Sequence, residues 1–122
     1  MFNNHRVVVS MTSWTKRIGN CYSVVKSILD GSVKPDIVFL NLSISEFPRR
    51  EANLPSDLVQ LSKTHPEFKI YWVPGPNVKT MKKMFPILKY LDDEDIILYI
   101  DDDILYPRDY VQSRLLDFKK FN

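Results

Sequence analysis

Five consecutive apolar residues, Ile96-Ile97-Leu98-Tyr99-Ile100, end in three consecutive aspartates, Asp101-Asp102-Asp103. An unbroken apolar run of this length reads as a strand buried on both faces, the kind found in parallel sheets. The charges at its exit then stand at the carboxyl edge of the sheet, where open α/β folds place their ligands. Three adjacent carboxylates repel one another, and a bound cation offsets that cost. A hard divalent ion with oxygen ligands is the natural candidate. One aspartate can also cap a helix, since Pro107 suits the first turn of one nearby. Capping leaves the other two without a role. No glycine or distal glutamate follows in the register of an EF-hand loop.

The preceding chain alternates short strand-like runs with segments of helical period. Residues 6–11 are rich in β-branched side chains and read as the first strand. Ile18, Cys21, Tyr22, Val25, Ile28 and Leu29 then lie on one helical stripe, with Gly31 as its stop. Residues 36–42 read as a second strand, and 43–53 as a loop without period. Pro55 opens a short helix that turns Leu58 and Leu61 inward, and 68–73 read as a third strand. Pro74-Gly75-Pro76-Asn77 is a turn signal. Met81, Met84, Phe85, Leu88 and Leu91 share a helical face that Pro86 kinks or splits. An acidic loop, 92–95, precedes the apolar strand, and Tyr110, Val111, Leu115 and Phe118 face inward from a last helix. The order β-α-β-α-β-α-β-α predicts an α/β fold: a mostly parallel, twisted sheet of about four strands with flanking helices.

At 122 residues the chain fits a single α/β domain, 1–122, without repeats or linkers. The apolar fraction of 44% and charged fraction of 26% are those of a soluble globular protein. A formal net charge of +2 gives no bulk signal for nucleic acid. No stretch reaches the length of a membrane span, and the first residues lack a signal-peptide layout. Cys21 is the only cysteine, so no internal disulfide forms. A cytoplasmic setting is expected, with peripheral attachment to the inner face of a membrane left open.

Two further groups fall at the same sheet edge. Lys79, Lys82 and Lys83 follow the proline-rich turn, where they meet phosphate oxygens or form a solvated helix face. Trp14 and Arg17 lie in the loop after the first strand. A tryptophan there stacks on a base or packs over the sheet end, and an arginine binds phosphate bidentately. Trp72 sits inside a strand and reads as core. Met81 and Met84 read as core filler, and His5 and His65 have no ligand set beside them in sequence.

Three stretches carry a resemblance to a known family. They are Val7-Val8-Val9-Ser10-Met11-Thr12-Ser13-Trp14-Thr15-Lys16-Arg17-Ile18, Lys83-Met84-Phe85-Pro86-Ile87-Leu88-Lys89, and Ile100-Asp101-Asp102-Asp103-Ile104-Leu105-Tyr106-Pro107. In this order they resemble a nucleotide-sugar glycosyltransferase of the GT-A fold, in its bacterial capsule and lipopolysaccharide-type branch. The last stretch is similar to that branch's DxD motif. The resemblance implies a Mn²⁺ or Mg²⁺ ion held by Asp101 and Asp103 on the diphosphate of a nucleoside-diphosphate sugar, a UDP-sugar as first expectation. Residues two apart on a strand point the same way, so Asp101 and Asp103 are expected to converge. Asp102 is left for the ribose or for a supporting contact. Thr12, Trp14, Arg17, Lys79 and Lys83 complete the implied donor site, with Trp14 at the base and the lysines at the phosphates. The implied partner is a glycan or lipid-linked acceptor, and the activity a metal-dependent glycosyl transfer.

Two departures qualify that expectation. The place where many relatives carry an acid for the base reads Asn41-Leu42-Ser43. The stretch after Asp103 contains one helix and nothing matching the family's acceptor half or catalytic base, so no catalytic residue is assigned. The chain is therefore expected to be the donor-binding half, whose uncovered sheet face and edge favour a homo-oligomer. The alternative is a non-catalytic nucleotide-sugar or metal-binding remnant, or a subunit completed by a partner. A receiver-like phosphoacceptor domain fits less well, because Thr12-Ser13 stands where it needs acids. A haloacid-dehalogenase-type phosphatase carries Asp-x-Asp on its first strand, whereas this triplet follows the fourth.

Overall fold

The computed structural model describes residues 5–74 and 94–121, with side chains as far as Asp117. Strands β1 (Val7–Thr12), β2 (Ile37–Ser43), β3 (Phe68–Val73) and β4 (Ile96–Tyr99) form one sheet in the order β3-β2-β1-β4. Every neighbouring pair is parallel. Among the described residues three helices flank it: α1 (Cys21–Leu29), α2 (Ser56–Thr64) and α3 (Tyr110–Phe121). The expected helical face from Met81 to Leu91, with its Pro86 kink, lies outside the described residues. So do Asp92, Asp93 and the Phe118 side chain.

The core follows the period-2 alternation of the strands. Val7, Val9 and Met11 of β1 share one cluster with Val38, Leu40 and Leu42 of β2. Onto them pack Cys21, Val24, Val25, Ile28 and Leu29 of α1, Leu58 and Leu61 of α2, and Val111 and Leu115 of α3. Each such side chain, fully buried, contributes about 1.5–3 kcal/mol of transfer free energy. Among the described residues the other face carries a small apolar cluster, Val8 and Phe39 with the half-buried Ile37 and Tyr71 against them. Toward the carboxyl edge that face turns polar, with Ser10, Asn41 and Ser43 all buried.

Side chains pin the register at the amino ends of the strands. Asp36 accepts the Val7 N–H at 2.7 Å and returns its own N–H to the Val7 carbonyl at 2.8 Å. Arg6 pairs with the buried Asp95 at 2.7 Å, and the Ile96 N–H donates to the Arg6 carbonyl. Glu94 and Asp95 thus belong to a tether between β1 and β4. His5 joins it through the Glu94 carbonyl, 2.6 Å from Nδ1.

Several details differ from the sequence expectations. β4 is not buried on both faces: Ile96 is buried, Ile97 and Leu98 are half-buried, and Tyr99 is 42% exposed. Among the described residues β4 is the end strand, so one of its flanks has no neighbour. The helix after the aspartates begins at Tyr110, three residues beyond Pro107. The stop after α1 is not a left-handed glycine cap. A Cβ on Gly31 would stand 3.1 Å from the Arg108 carbonyl oxygen, so close backbone approach is what disfavours a side chain there. Phe47, in the segment read as a featureless loop, is buried at 2% exposure. No helix among the described residues is long and apolar enough to cross a membrane.

Candidate functional site

The strand order places the site. From β1 the chain moves to β2 on one side, while β4 lies on the other side of β1. The direction of winding therefore reverses between β1 and β4, and open α/β sheets hold ligands in the crevice outside such a point. The loop after β1 and the aspartate triplet after β4 both emerge there. The last sheet-type bond of β4 runs from the Ile100 N–H to the Ser10 carbonyl at 3.0 Å. The triplet begins immediately afterward and forms a turn, not a continuation of the strand.

β4 ends at Tyr99, yet the triplet keeps the alternating order expected of a strand: Asp101 and Asp103 are exposed and Asp102 is buried. The middle carboxylate points in. Asp102 is 6% exposed and accepts the Ser13 Oγ hydrogen at 2.7 Å, while Ser13 is itself buried. Asp101 and Asp103 stay exposed. The Tyr106 hydroxyl accepts the Asp101 N–H at 2.8 Å, and the Tyr106 N–H reaches Ser27 Oγ on α1 at 3.2 Å. Burial, first of all, holds the Tyr106 phenol above its ordinary pKa. None of the three aspartates caps α3, which starts seven residues later.

The loop after β1 folds back onto the triplet. The Trp14 carbonyl accepts the N–H groups of both Arg17 and Ile18 at 2.9 Å, closing a tight turn that runs through a short 3₁₀ turn, Ile18–Asn20, into α1. This turn brings Arg17 Nη1 to 3.3 Å from Asp102 Oδ1 and 3.3 Å from Asp103 Oδ2. Arg17 is 48% exposed, so the pairs add little stability, about 0–1 kcal/mol. Their effect is positional: one guanidinium offsets part of the triplet's negative charge. The buried Ser13–Asp102 bond is charge-assisted and carries more weight, about 1.5–3 kcal/mol.

The remaining site residues are distributed as follows. Trp14 is half-buried, with Lys16 Nζ 5.3 Å from its ring centroid. Thr12 Oγ1 donates to the Asn41 carbonyl at 3.0 Å and so serves the β1–β2 seam. Lys79 and Lys83 lie outside the described residues. Sequence reasoning missed Ser13, Glu46 and Tyr106. Glu46 Oε1 accepts from both Thr15 N and Oγ1 at 3.3 Å, tying the loop after β2 to the loop after β1. No local pattern signals the Ser13 and Glu46 contacts, which join segments far apart in sequence, whereas Tyr106 reaches Asp101 within its own loop. The buried Asn41 gives its Nδ2 to Ser10 Oγ and the Met11 carbonyl, while its Oδ1 has no hydrogen-bond partner among the described residues.

Cys21 sits directly beneath the site. Burial pushes its thiol up to about 11, opposed by a hydrogen bond with Ser13 and reinforced by the charge of Asp102. The consequence for pH has a definite sign. The unfolded thiol ionises near its ordinary value of 9.0, whereas the folded thiol keeps its proton to about 11. Stability present below pH 9 is therefore lost as pH rises toward 11, by at most about 3 kcal/mol. Urea titrations from pH 8 to 11 should show this decline, and Cys21→Ala should flatten it. A wild-type slope equal to the variant's would refute the buried-thiol account.

Among the described residues, no three His, Cys, Asp or Glu side chains gather at metal-binding spacing. Asp102 is committed to Ser13 and Arg17. What the turn offers a cation is two exposed carboxylates, Asp101 and Asp103. That donor set fits Mg²⁺ or Mn²⁺, because such hard ions keep waters and complete their shell with ligand phosphates. It does not fit a closed structural site such as Zn²⁺ takes. No protein-family model matches the chain, and no curated protein matches it.

Proposed function

We propose that the crevice between β1 and β4 binds the diphosphate of a nucleoside-diphosphate sugar, as a metal-dependent glycosyltransferase or its donor-binding part. The observation that carries this reading is the pairing of two exposed carboxylates with a guanidinium at the point where the sheet reverses its winding. Asp101 and Asp103 are the residues that would hold a divalent cation. Bound there, the cation supplies Lewis-acid stabilisation of negative charge on a departing diphosphate.

The chain's own residues prepare the rest. Asp102 and Ser13 lock the two loops together from below, so the exposed groups keep a fixed spacing. Arg17 leans over the turn, and its guanidinium is the group suited to grip phosphate oxygens bidentately. The half-buried Trp14, on the same loop, offers a face on which a base can stack. A glycan or lipid-linked acceptor is the partner this chemistry calls for.

Calorimetry with UDP and GDP, each with and without Mn²⁺, tests the reading. Binding at least tenfold tighter with Mn²⁺, and abolished by Asp103→Asn, is the expected result. If neither nucleotide binds under either condition, the donor site is wrong. Hydrolysis of UDP-sugars by the same samples then separates a transferase from a binding module.

A further inference from the structure

Residues 101–109, between β4 and α3, belong to no helix or strand, so no ladder of backbone bonds sets their shape. The two outward carboxylates, Asp101 and Asp103, both sit on this stretch. Their spacing is therefore set by the side chains that anchor it. Asp102 supplies one anchor through Ser13. Tyr106 supplies another, and it works at both ends. Its hydroxyl accepts the N–H of Asp101, five residues back, at 2.8 Å, and its own N–H donates to Ser27 Oγ on α1 at 3.2 Å. We propose that Tyr106 is a positioning residue for the candidate cation site: it fixes the backbone at Asp101 against α1 and so sets the separation of the Asp101 and Asp103 carboxylates. The assignment rests on the donor-site reading and extends it to a residue that touches no ligand.

The surroundings of Tyr106 make its hydroxyl a fixed acceptor. The half-buried ring packs against the main core cluster. Tyr110 lies against it, with ring centroids 4.3 Å apart and planes at 51°. Ser27 Oγ spends its proton on the Val24 carbonyl at 2.6 Å, which leaves the oxygen to accept from Tyr106. Farther along, the Arg108 carbonyl accepts the Ser32 N–H at 2.9 Å and the Ser32 hydroxyl at 3.3 Å, so the stretch is tied a second time to the end of α1. A ring held in this way has little freedom to take its oxygen away from Asp101. Contacts of this kind, made behind metal ligands, orient them, and their loss costs about 10–100-fold in metal affinity.

Phenylalanine separates positioning from packing, because it keeps the ring and removes only the oxygen. The Asp101 N–H lies at an exposed residue, so water takes over the bond in Tyr106→Phe and the fold loses little. Ser27→Ala gives a second variant, which keeps the phenol and removes its tie to α1. Wild type and both variants are compared by thermal melting, by solvent exchange of the Asp101 amide in metal-free buffer using NMR, and by calorimetry with Mn²⁺, alone and together with UDP.

Tyr106→Phe should melt within about 5 °C of wild type. Its Asp101 amide should exchange about tenfold faster, and its Mn²⁺ affinity should fall about tenfold. Ser27→Ala should move exchange and affinity in the same direction by less. A ring that only fills space predicts neither change at a preserved melting temperature. Unchanged exchange in Tyr106→Phe overturns the proposal, and so does faster exchange with wild-type Mn²⁺ affinity. If Tyr106→Phe loses the fold as well, Ser27→Ala decides: faster exchange with weaker Mn²⁺ binding supports the role, and wild-type values overturn it. Failure of wild type to bind Mn²⁺ or UDP sinks the donor reading instead, and exchange at Asp101 then decides by itself whether Tyr106 holds the turn.

Discussion

Asp102→Ala should cost about 2–3 kcal/mol of folding stability, while Asp101→Asn and Asp103→Asn should leave the denaturation midpoint close to wild type. The difference comes from where three adjacent residues of one type point. Asp102 is buried at 6% exposure, and its loss strands the buried Ser13 hydroxyl without its acceptor. Arg17 loses one of its two carboxylates as well, but at 48% exposure water replaces that partner cheaply. Asp101 and Asp103 are exposed, so their exchange touches little packing. On the proposed donor-site reading, function should sort differently: all three variants weaken Mn²⁺-dependent nucleotide binding, the outer two directly and Asp102→Ala by releasing the loops. Urea denaturation and calorimetry on the same samples read both effects. A stable Asp102→Ala protein, within 0.5 kcal/mol of wild type by this scale, would show that the middle aspartate anchors nothing.

Phe47→Ala should be more damaging, at about 3–5 kcal/mol, the range for deleting a buried aromatic ring from a core. Phe47 is 2% exposed and lies edge-on to Trp72, with ring centroids 6.2 Å apart and planes at 63°. Its backbone is tied on both sides, to the Ser43 carbonyl and by the Arg50 N–H. The surroundings therefore cannot collapse freely into the space left. For a chain of this size the melting temperature should fall by roughly 10–20 °C. Trp72 fluorescence should shift red in the variant before unfolding, because its packed edge becomes wet. Phe47→Leu retains most of the volume and should recover more than half of the loss. A fall in melting temperature of only one or two degrees would contradict the packing role.

Most of the sheet was legible because its signals are local. β3 matches the run 68–73, and β1 and β2 lie within one residue of their expected bounds. Leu58, Leu61 and the stripe from Cys21 to Leu29 declared their buried faces by helical spacing. What stayed hidden depends on partners distant in sequence. Nothing in Glu46-Phe47-Pro48 announces that the ring is core, since a single anchoring aromatic has no period. The bond that holds Asp102 inward comes from Ser13, 89 residues away, which no local pattern names. Asp95 reads in sequence as one more charge in an acidic loop, yet its buried side chain pairs with Arg6, 89 residues away. The exposure of Tyr99 follows from its strand's place in the sheet, which apolar runs do not encode.

The pairing of the first strand with the last has a bearing on how the molecule comes into being. Val7 lies opposite Ile96, so a chain emerging from the ribosome synthesises β1, β2 and β3 long before β1 gains its second neighbour. Closing that span is a high-contact-order event, and such parallel pairings are the slow steps of folding. The crevice has no second wall until it happens. An incomplete chain can therefore hold a partial sheet and a hydrophobic core while offering nothing for a ligand to grip. A ligand bound at the crevice would act as a clasp on the finished sheet alone, and its stabilising effect would fall on the final docking of β4.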